Sequence, residues 1–377
     1  MELKFKNKNF RIMQIADTQD TNKTAPATIE LISKAIEKAK PDLIVFTGDQ
    51  VKGYGVNLLL GDRKKNVAQC INNLLKPIDD ANIPFTYVYG NHDDTSFSIS
   101  KEEQYEIYKS HKNCLAFNAD DSLRGYCNHN LEVKGEDGKT KLNILLFDSL
   151  SMDSMGNCEH VSDGQLKWYK SVRDALKEKN GDYVPTIVFQ HIPVPEIYEL
   201  LEEVPKGTKG SAKGYRQYEG KYYYLNHENT LIDDRSFVGE TPSIPVENGG
   251  EFDTLREKGD VFAMFFGHDH NNSFVGEYKN IKMGYTQGAG FNIYGPAMNR
   301  GVRIFDIPED MERDFKTYTI TAKDFENFDV KNPLKYFIYT YAPSSMDSVK
   351  PYIKGGIATA TALAAAGIGY KIFKKKK

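Results

Sequence analysis

The feature that most constrains this chain is the set of polar residues that terminates its short apolar runs. Ile12–Ala16 ends on Asp17-Thr18-Gln19, Leu43–Phe46 leads to Gly48-Asp49, and Pro84–Tyr89 leads to Gly90-Asn91-His92-Asp93. Further on, Thr186–Phe189 ends on Gln190-His191, and Val261–Phe266 on Gly267-His268-Asp269-His270. Unbroken apolar runs this short read as strands buried on both faces. Between them the period changes. Ile29, Ile32, Ile36 and Ala39 share one face of a helix that stops at Lys40-Pro41. Val67–Ile78 reads as a second helix, and Gln165–Leu176 as a third with Leu166, Tyr169, Val172 and Leu176 inward. Strands alternating with helices make an α/β chain with covered sheets. In open α/β sheets, ligands bind outside the carboxyl ends of the strands. Five strand ends that carry Asp, Asn or His therefore predict one convergent site, with the neighbouring glycines letting the backbone turn sharply.

The chemistry of the set is narrow. Asp, Asn and His offer oxygen and imidazole donors with no thiolate among them, which suits Mn, Fe or Zn. The set exceeds what one tetrahedral ion needs, and two ions sharing a carboxylate would use it fully. Four of the eight histidines, His92, His191, His268 and His270, fall in these segments. A lone strand-end histidine carries little weight; the ordered combination carries much. A net charge of −3 gives no general field for polyanions, so nucleic-acid binding is not the starting hypothesis. Cys70, Cys114, Cys127 and Cys158 form no C-x-x-C pair and read as free thiols of a reducing compartment. Met1–Phe10 holds no continuous apolar stretch of a secretory signal, so the expectation is a cytoplasmic protein.

The order Asp-x-Gln, Gly-Asp, Gly-Asn-His-Asp, His, Gly-His-Asp-His resembles the calcineurin-like metallophosphoesterases over residues 10 to about 322. His191-Ile192-Pro193-Val194-Pro195-Glu196, with Gly267–Asn272, is most similar to the purple-acid-phosphatase-related, Dcr2-like branch. The resemblance implies an α/β fold of two mixed β-sheets packed face to face as a sandwich flanked by helices. It implies that Asp17, Gln19 and His270 hold a first metal, that Asp49 bridges, and that Asn91, His191 and His268 complete a second site. His92 would assist the leaving group and Asp93 would orient His92. The implied activity is hydrolysis of a phosphomonoester or phosphodiester by a hydroxide bridging two divalent ions, Mn or Fe favoured and Zn admitted. Two positions depart from the pattern. Gln19 stands where the family usually has His, which should weaken site one and turn it from zinc toward Mn or Fe. Lys52 stands where true purple acid phosphatases carry their iron-binding tyrosine, with Tyr54 nearby but out of register, so no ferric–tyrosinate colour is expected. A nuclease using the Lys206–Lys221 segment, and a degenerate binding scaffold on the same fold, are the alternatives.

Residues 1–340 read as one catalytic domain. Within it, Glu199–Gly259 lacks a sustained period and is rich in Gly, Tyr and charge, the mark of an irregular substrate-side insertion. Tyr223, His227 and Arg235 are its candidate substrate-binding residues. Residues 341–377 form a tail in which Gly355–Phe373 would span roughly 28 Å as a helix. Four lysines come after it. The expectation is membrane association through this tail, its lysines meeting anionic lipids.

Overall fold

The computed structural model describes residues 2–310 and 315–341. After β1 (Leu3–Lys4) comes β2 (Asn9–Ile15), and the crossover helices α1 (Pro26–Ala39) and α2 (Arg63–Ala81) lead to β3 (Leu43–Thr47) and β4 (Phe85–Val88). Proline opens α1, where its missing N–H has no helical partner to lose, and Lys40 closes it in the left-handed conformation ahead of Pro41. In α2 the Asp62 carboxylate accepts from Lys65 N, so the helix begins before its apolar face does. Next come α3 (Lys101–Lys109), β5 (His129–Lys134), β6 (Thr140–Leu146), α4 (Asp163–Asn180) and β7 (Thr186–Phe189).

The 199–259 segment is more regular than its sequence suggests. β8 (Leu201–Glu203), β9 (Ala212–Lys213) and β10 (Tyr222–Leu225) form a small antiparallel sheet, and β11 (Thr230–Leu231), β12 (Phe237–Val238) and α5 (Glu251–Arg256) come next. Strands this short have too few residues to display a period. The chain continues with β13 (Val261–Phe266), β14 (Asn272–Tyr278), β15 (Ile281–Tyr285), β16 (Gly301–Pro308), β17 (Lys316–Thr321) and α6 (Pro333–Tyr341).

Two mixed sheets carry the fold. One has the order β17-β16-β2-β3-β4, parallel from β2 to β4. The other runs β1-β5-β6-β7-β13-β15-β14-β11, with β12 also on β14, and is parallel from β6 through β7 and β13 to β15. They pack face to face: Ile12, Val45 and Phe305 meet Ile144, Phe189 and Phe265 in one buried cluster. The outer face of the first sheet (Met13, Ile15, Ile44, Phe46) is covered by α1 and α2. The outer face of the second (Leu145, Val188, Met264, Phe266) is covered by α4, α5 and the 199–259 segment. Both faces of the central strands are therefore dry, and their sequences are apolar without alternation. This is the expected α/β sandwich of two mixed sheets flanked by helices.

The carboxyl ends of β2, β3 and β4 share a rim with those of β7 and β13. Just beneath it, Gln14 ties the sheets together: Nε2 donates to Thr47 Oγ1 (2.9 Å) and Phe266 O (3.2 Å), and Oε1 accepts from Thr286 Oγ1 (2.6 Å). The helix expected over 355–373 lies outside the described residues. Among those described, no helix is long and apolar enough to cross a membrane.

Candidate metal centre

The backbone bends where the donors stand. Asp17 (φ 52°), Gln19 (φ 33°), Asp49 (φ 54°) and His268 (φ 75°) all leave their strands in the left-handed region. For such residues this costs on the order of 1–2 kcal/mol each, and strain of this kind gathers at functional sites. Gly48 (φ 88°) lets the two sheets approach, since a Cβ there would stand 2.5 Å from His191 Nδ1. The first sheet supplies Asp17, Gln19, Asp49, Asn91 and His92, and the second supplies His191, His268 and His270.

Asp17, Asp49 and His270 place one donor atom each within 4.8 Å of one another. His270 Nδ1 bonds to Tyr294 O (3.0 Å), which fixes its proton there and leaves Nε2 bare, 3.3 Å from Asp17 Oδ1. That oxygen is buried without a hydrogen-bond partner. A second group lies beside the first. His191 Nδ1 bonds to Thr47 O (2.8 Å), and its Nε2 faces Asp49 Oδ2 (3.5 Å), Asn91 Oδ1 (3.1 Å) and His268 Nδ1 (3.1 Å). Acceptor atoms thus crowd together with too few donors among them. Burial works to lower the His191 pKa, yet the Asp49 and Asp17 carboxylates outweigh it and lift it to about 10. Burial and the neighbouring His191 push His268 down. The pocket demands positive charge.

Gln19 is in the same shell. Its Nε2 donates to Asp49 Oδ2 (2.5 Å) and lies 3.3 Å from His270 Nε2, while Oε1 accepts from the Tyr54 hydroxyl (3.0 Å). Turning the amide over exchanges the two atoms and sets an oxygen toward the cluster, with the hydroxyl then accepting. Lys52 points elsewhere, to Asn292 O (3.2 Å).

His92 lines the cavity over the cluster and packs edge-on to Tyr54 at 4.8 Å between centroids. Its Nδ1 is buried without a partner. The expected support from Asp93 is absent. The Asp93 carboxylate accepts from the backbone of Gly90 (2.7 Å), Asp49 (2.9 Å) and Val51 (2.8 Å), so it joins two strand-end loops instead of orienting an imidazole.

None of the three candidate substrate residues reaches the cavity. Tyr223 is buried between Tyr198 and Tyr218, His227 is exposed beside Tyr224, and Arg235 forks onto Asp324 with both bonds at 2.7 Å. Tyrosines of a short-stranded segment serve as its core, and a lone arginine finds the nearest carboxylate. Other residues take their place around a cavity of about 830 Å³, among them Tyr54, Arg216, Glu240 and Tyr294. The Tyr294 ring stacks on His270 (4.2 Å, 5°) and its hydroxyl donates to Glu240 (3.3 Å). Buried Arg300 staples its loop through Gly290 O (2.7 Å) and Ile293 O (2.7 Å). A signal for this loop existed: β15 also ends on a polar-glycine turn, Thr286-Gln287-Gly288. Arg216 belongs to the basic 206–221 segment of the nuclease alternative, and no such signal marks Glu240.

An imidazole–carboxylate cluster at the strand ends of an α/β sandwich defines a metal-binding hydrolase. The family model for calcineurin-like phosphoesterase matches residues 10–272, and the chain belongs to that family of phosphoester hydrolases. It is 27% identical over 362 residues to probable inactive purple acid phosphatase 29 of Arabidopsis thaliana, covering 86% of this chain and 84% of that protein. It is 25% identical over 294 residues to phosphatase DCR2 of Saccharomyces cerevisiae, covering 70% of this chain but only 44% of that protein. These relatives match the branch its motifs resemble. A dimetal phosphatase from Danio rerio is similar in structure at a TM-score of 0.48 and 13% identity, over 83% of this chain and 99% of that one.

Proposed function

We propose that the chain hydrolyses phosphoesters with two divalent ions, one held by Asp17, Gln19, His270 and Asp49, the other by Asp49, Asn91, His191 and His268. The observation that carries this is the hydrogen-bond polarity of the cluster. His191 and His270 spend their Nδ1 protons on backbone carbonyls, so their Nε2 atoms face carboxylate and amide oxygens across 3.1–3.5 Å and need a second proton or a cation between. Cations resolve that arrangement as no side chain present does, and the donors fit them. Carboxylate, amide and imidazole without thiolate favour Mn or Fe, with Zn less suited to the amide of Gln19. Cys158 Sγ lies 3.7 Å from His268 Nε2, on the ring edge away from Nδ1, and so stands behind the donor set.

Divalent ions bound here would supply Lewis acidity toward phosphoryl oxygens and a water of lowered pKa. The chain's own part is orientation and proton handling. Thr47 O and Tyr294 O fix two imidazoles, and Tyr54 fixes the Gln19 amide. His92, which lines the cavity, would give a proton to a leaving oxygen.

The experiment is to strip the protein with a chelator, reconstitute it with Mn²⁺, Fe²⁺ or Zn²⁺, and measure bound metal and p-nitrophenyl phosphate turnover. Two ions per chain and restored turnover, best with Mn²⁺, are expected, and Gln19→Ala should weaken the first site more than it slows turnover at saturating metal. Only trace metal after reconstitution would refute the reading. The word inactive in the Arabidopsis relative's name suggests a second reading, a scaffold that binds metal without turnover; the same assay separates the two. A nuclease groove has less support: of the basic residues of 206–221, Lys213 and Arg216 line the cavity with Tyr215, but Lys206 and Lys209 are exposed outside it and Lys221 pairs with Glu203 at 2.9 Å.

A further inference from the structure

We infer that Arg216 binds a terminal oxygen of the substrate phosphoryl group and so makes the site selective for phosphomonoesters over diesters, an inference that rests on the phosphoesterase reading above. Arg216 lies in the short turn after β9, within the segment that covers the nine-stranded sheet, and lines the cavity with the metal-site residues. Its backbone is left-handed (φ 51°), directly after an extended Tyr215. Strain of that kind persists where surrounding contacts fix a residue, and the contacts of Arg216 are traceable. Nη2 donates to Gly156 O, the guanidinium carbon sits 5.2 Å from the Tyr215 ring centre, and the group lies against the Cys158 thiol. That thiol is in turn 3.7 Å from His268 Nε2. The guanidinium is thus one sulfur removed from an imidazole whose other nitrogen faces the cluster.

The remaining end of the group has nothing to bind. Nη1 is buried and has no hydrogen-bond partner. No carboxylate forms an ion pair with Arg216 among the described residues. Of the acidic groups of the same cavity, Asp269 takes Ser243 N and the Tyr285 hydroxyl, Glu240 takes Asn271 N and the Tyr294 hydroxyl, and Glu219, exposed three residues after Arg216, makes no ion pair with it. Of the two lysines in the lining, Lys52 is held by Asn292 O and the rings of Tyr54 and Tyr339, and Lys213 is exposed. A half-buried guanidinium that lines the cavity with an uncommitted N–H and no ion pair among the described residues is a seat for an anion.

Counting oxygens identifies the anion. A phosphomonoester presents three terminal oxygens and, at neutral pH, close to two negative charges; a diester presents two oxygens and one charge. Two cation positions together with Arg216 make three positive positions. Only the monoester has an oxygen for each.

The test uses the full chain reconstituted with Mn²⁺, as wild type, Arg216→Lys and Arg216→Gln. Kinetics are measured on p-nitrophenyl phosphate and bis-p-nitrophenyl phosphate, and inorganic phosphate binding by calorimetry. Loss of one charge-assisted hydrogen bond predicts a roughly 10- to 100-fold rise in KM for the monoester and in the Kd of phosphate for Arg216→Gln. The diester should change less than about threefold, with Arg216→Lys between the two on the monoester. Equal losses on both esters, or unchanged phosphate affinity in both variants, would overturn the assignment. If the wild type turns over neither ester, the phosphoesterase reading fails, while phosphate calorimetry still decides whether Arg216 is the anion seat.

Discussion

Replacing Asp93 distinguishes a loop clamp from a partner of His92. Its carboxylate is buried and serves three backbone donors, Gly90 N and Asp49 N through Oδ2 and Val51 N through Oδ1. In Asp93→Ala all three lose their acceptor. An unsatisfied buried N–H costs about 1–3 kcal/mol, and the lower end applies because water can enter the space left by a carboxyl group. The sum is about 3 kcal/mol, a large part of the roughly 5–15 kcal/mol that holds a folded chain. Asp93→Asn can keep one oxygen on Gly90 and Asp49 and turn its NH₂ toward Val51, so about 1 kcal/mol should be lost there, one unsatisfied donor at the same low end. Both changes loosen the loop that sets Asp49 in its left-handed turn, and Mn²⁺ affinity should fall with stability, more in Ala than in Asn. Urea unfolding of the metal-free protein and an Mn²⁺ titration read the two effects. If Asp93→Ala unfolds within about 1 kcal/mol of wild type, titrates normally and has the kinetics of His92→Ala, then Asp93 acts through His92 and the clamp is wrong.

His92→Ala should lower turnover of glycerol phosphate by roughly 10²–10⁴-fold and that of p-nitrophenyl phosphate far less, because nitrophenolate leaves without a proton. Equal losses in kcat would make the ring a phosphate-binding group. His129 predicts a pH effect away from the site. It is fully buried, with Nδ1 on Cys127 O (2.6 Å) and Nε2 on Thr86 Oγ1 (2.6 Å), and burial lowers its pKa to about 4, the bond to Cys127 only partly opposing. The unfolded chain takes up this proton near pH 6.5 and the folded chain only near pH 4, so the stability it contributes is present above about 6.5 and lost as pH falls toward 4. At about 1.4 kcal/mol per pKa unit, roughly 3 kcal/mol disappears across that window. Urea midpoints of metal-free wild type against His129→Asn test this: the wild-type curve should fall more steeply between about pH 6.5 and pH 4.5, and parallel curves would refute the assignment.

The sandwich was legible because its central strands are dry on both sides. β3, β7 and β13 are buried at every position, and in the sequence they stand out as unbroken apolar runs that end abruptly in polar residues. The donor residues were legible for the same reason: Asp17, Asp49, Asn91, His191, His268 and His270 come directly after a strand end. Gln19 was readable as a position but not as a geometry, because which atom of an amide faces the cluster depends on Tyr54, which lies after the next strand. Asp93 enters the site through the Gly-Asn-His-Asp resemblance. What decides its role is the backbone of Asp49 and Val51, and no local pattern encodes where those N–H groups point.

The far wall of the cavity was not legible, and the reason is the kind of structure that builds it. Tyr223 and Arg235 looked like binding residues because they are aromatic or charged within an irregular segment. In the fold those properties are used within the protein, in the ring contacts with Tyr198 and Tyr218 and in the ion pair with Asp324. Arg216, from the same segment, looks no different in sequence. What separates it is negative: a buried N–H that no protein group takes, on a residue in the wall of the cavity. A metal ligand is announced by the strand it terminates. A substrate contact is recognised by the bond it lacks, which emerges only when every neighbour's hydrogen bonds have been assigned. The same accounting applies to Asp17 Oδ1 and His92 Nδ1, which are also buried and unpartnered. His92 and Arg216 line one cavity, and Asp17 belongs to the cluster beneath it. A phosphoryl group with its metal ions would meet a carboxylate, an imidazole and a guanidinium there.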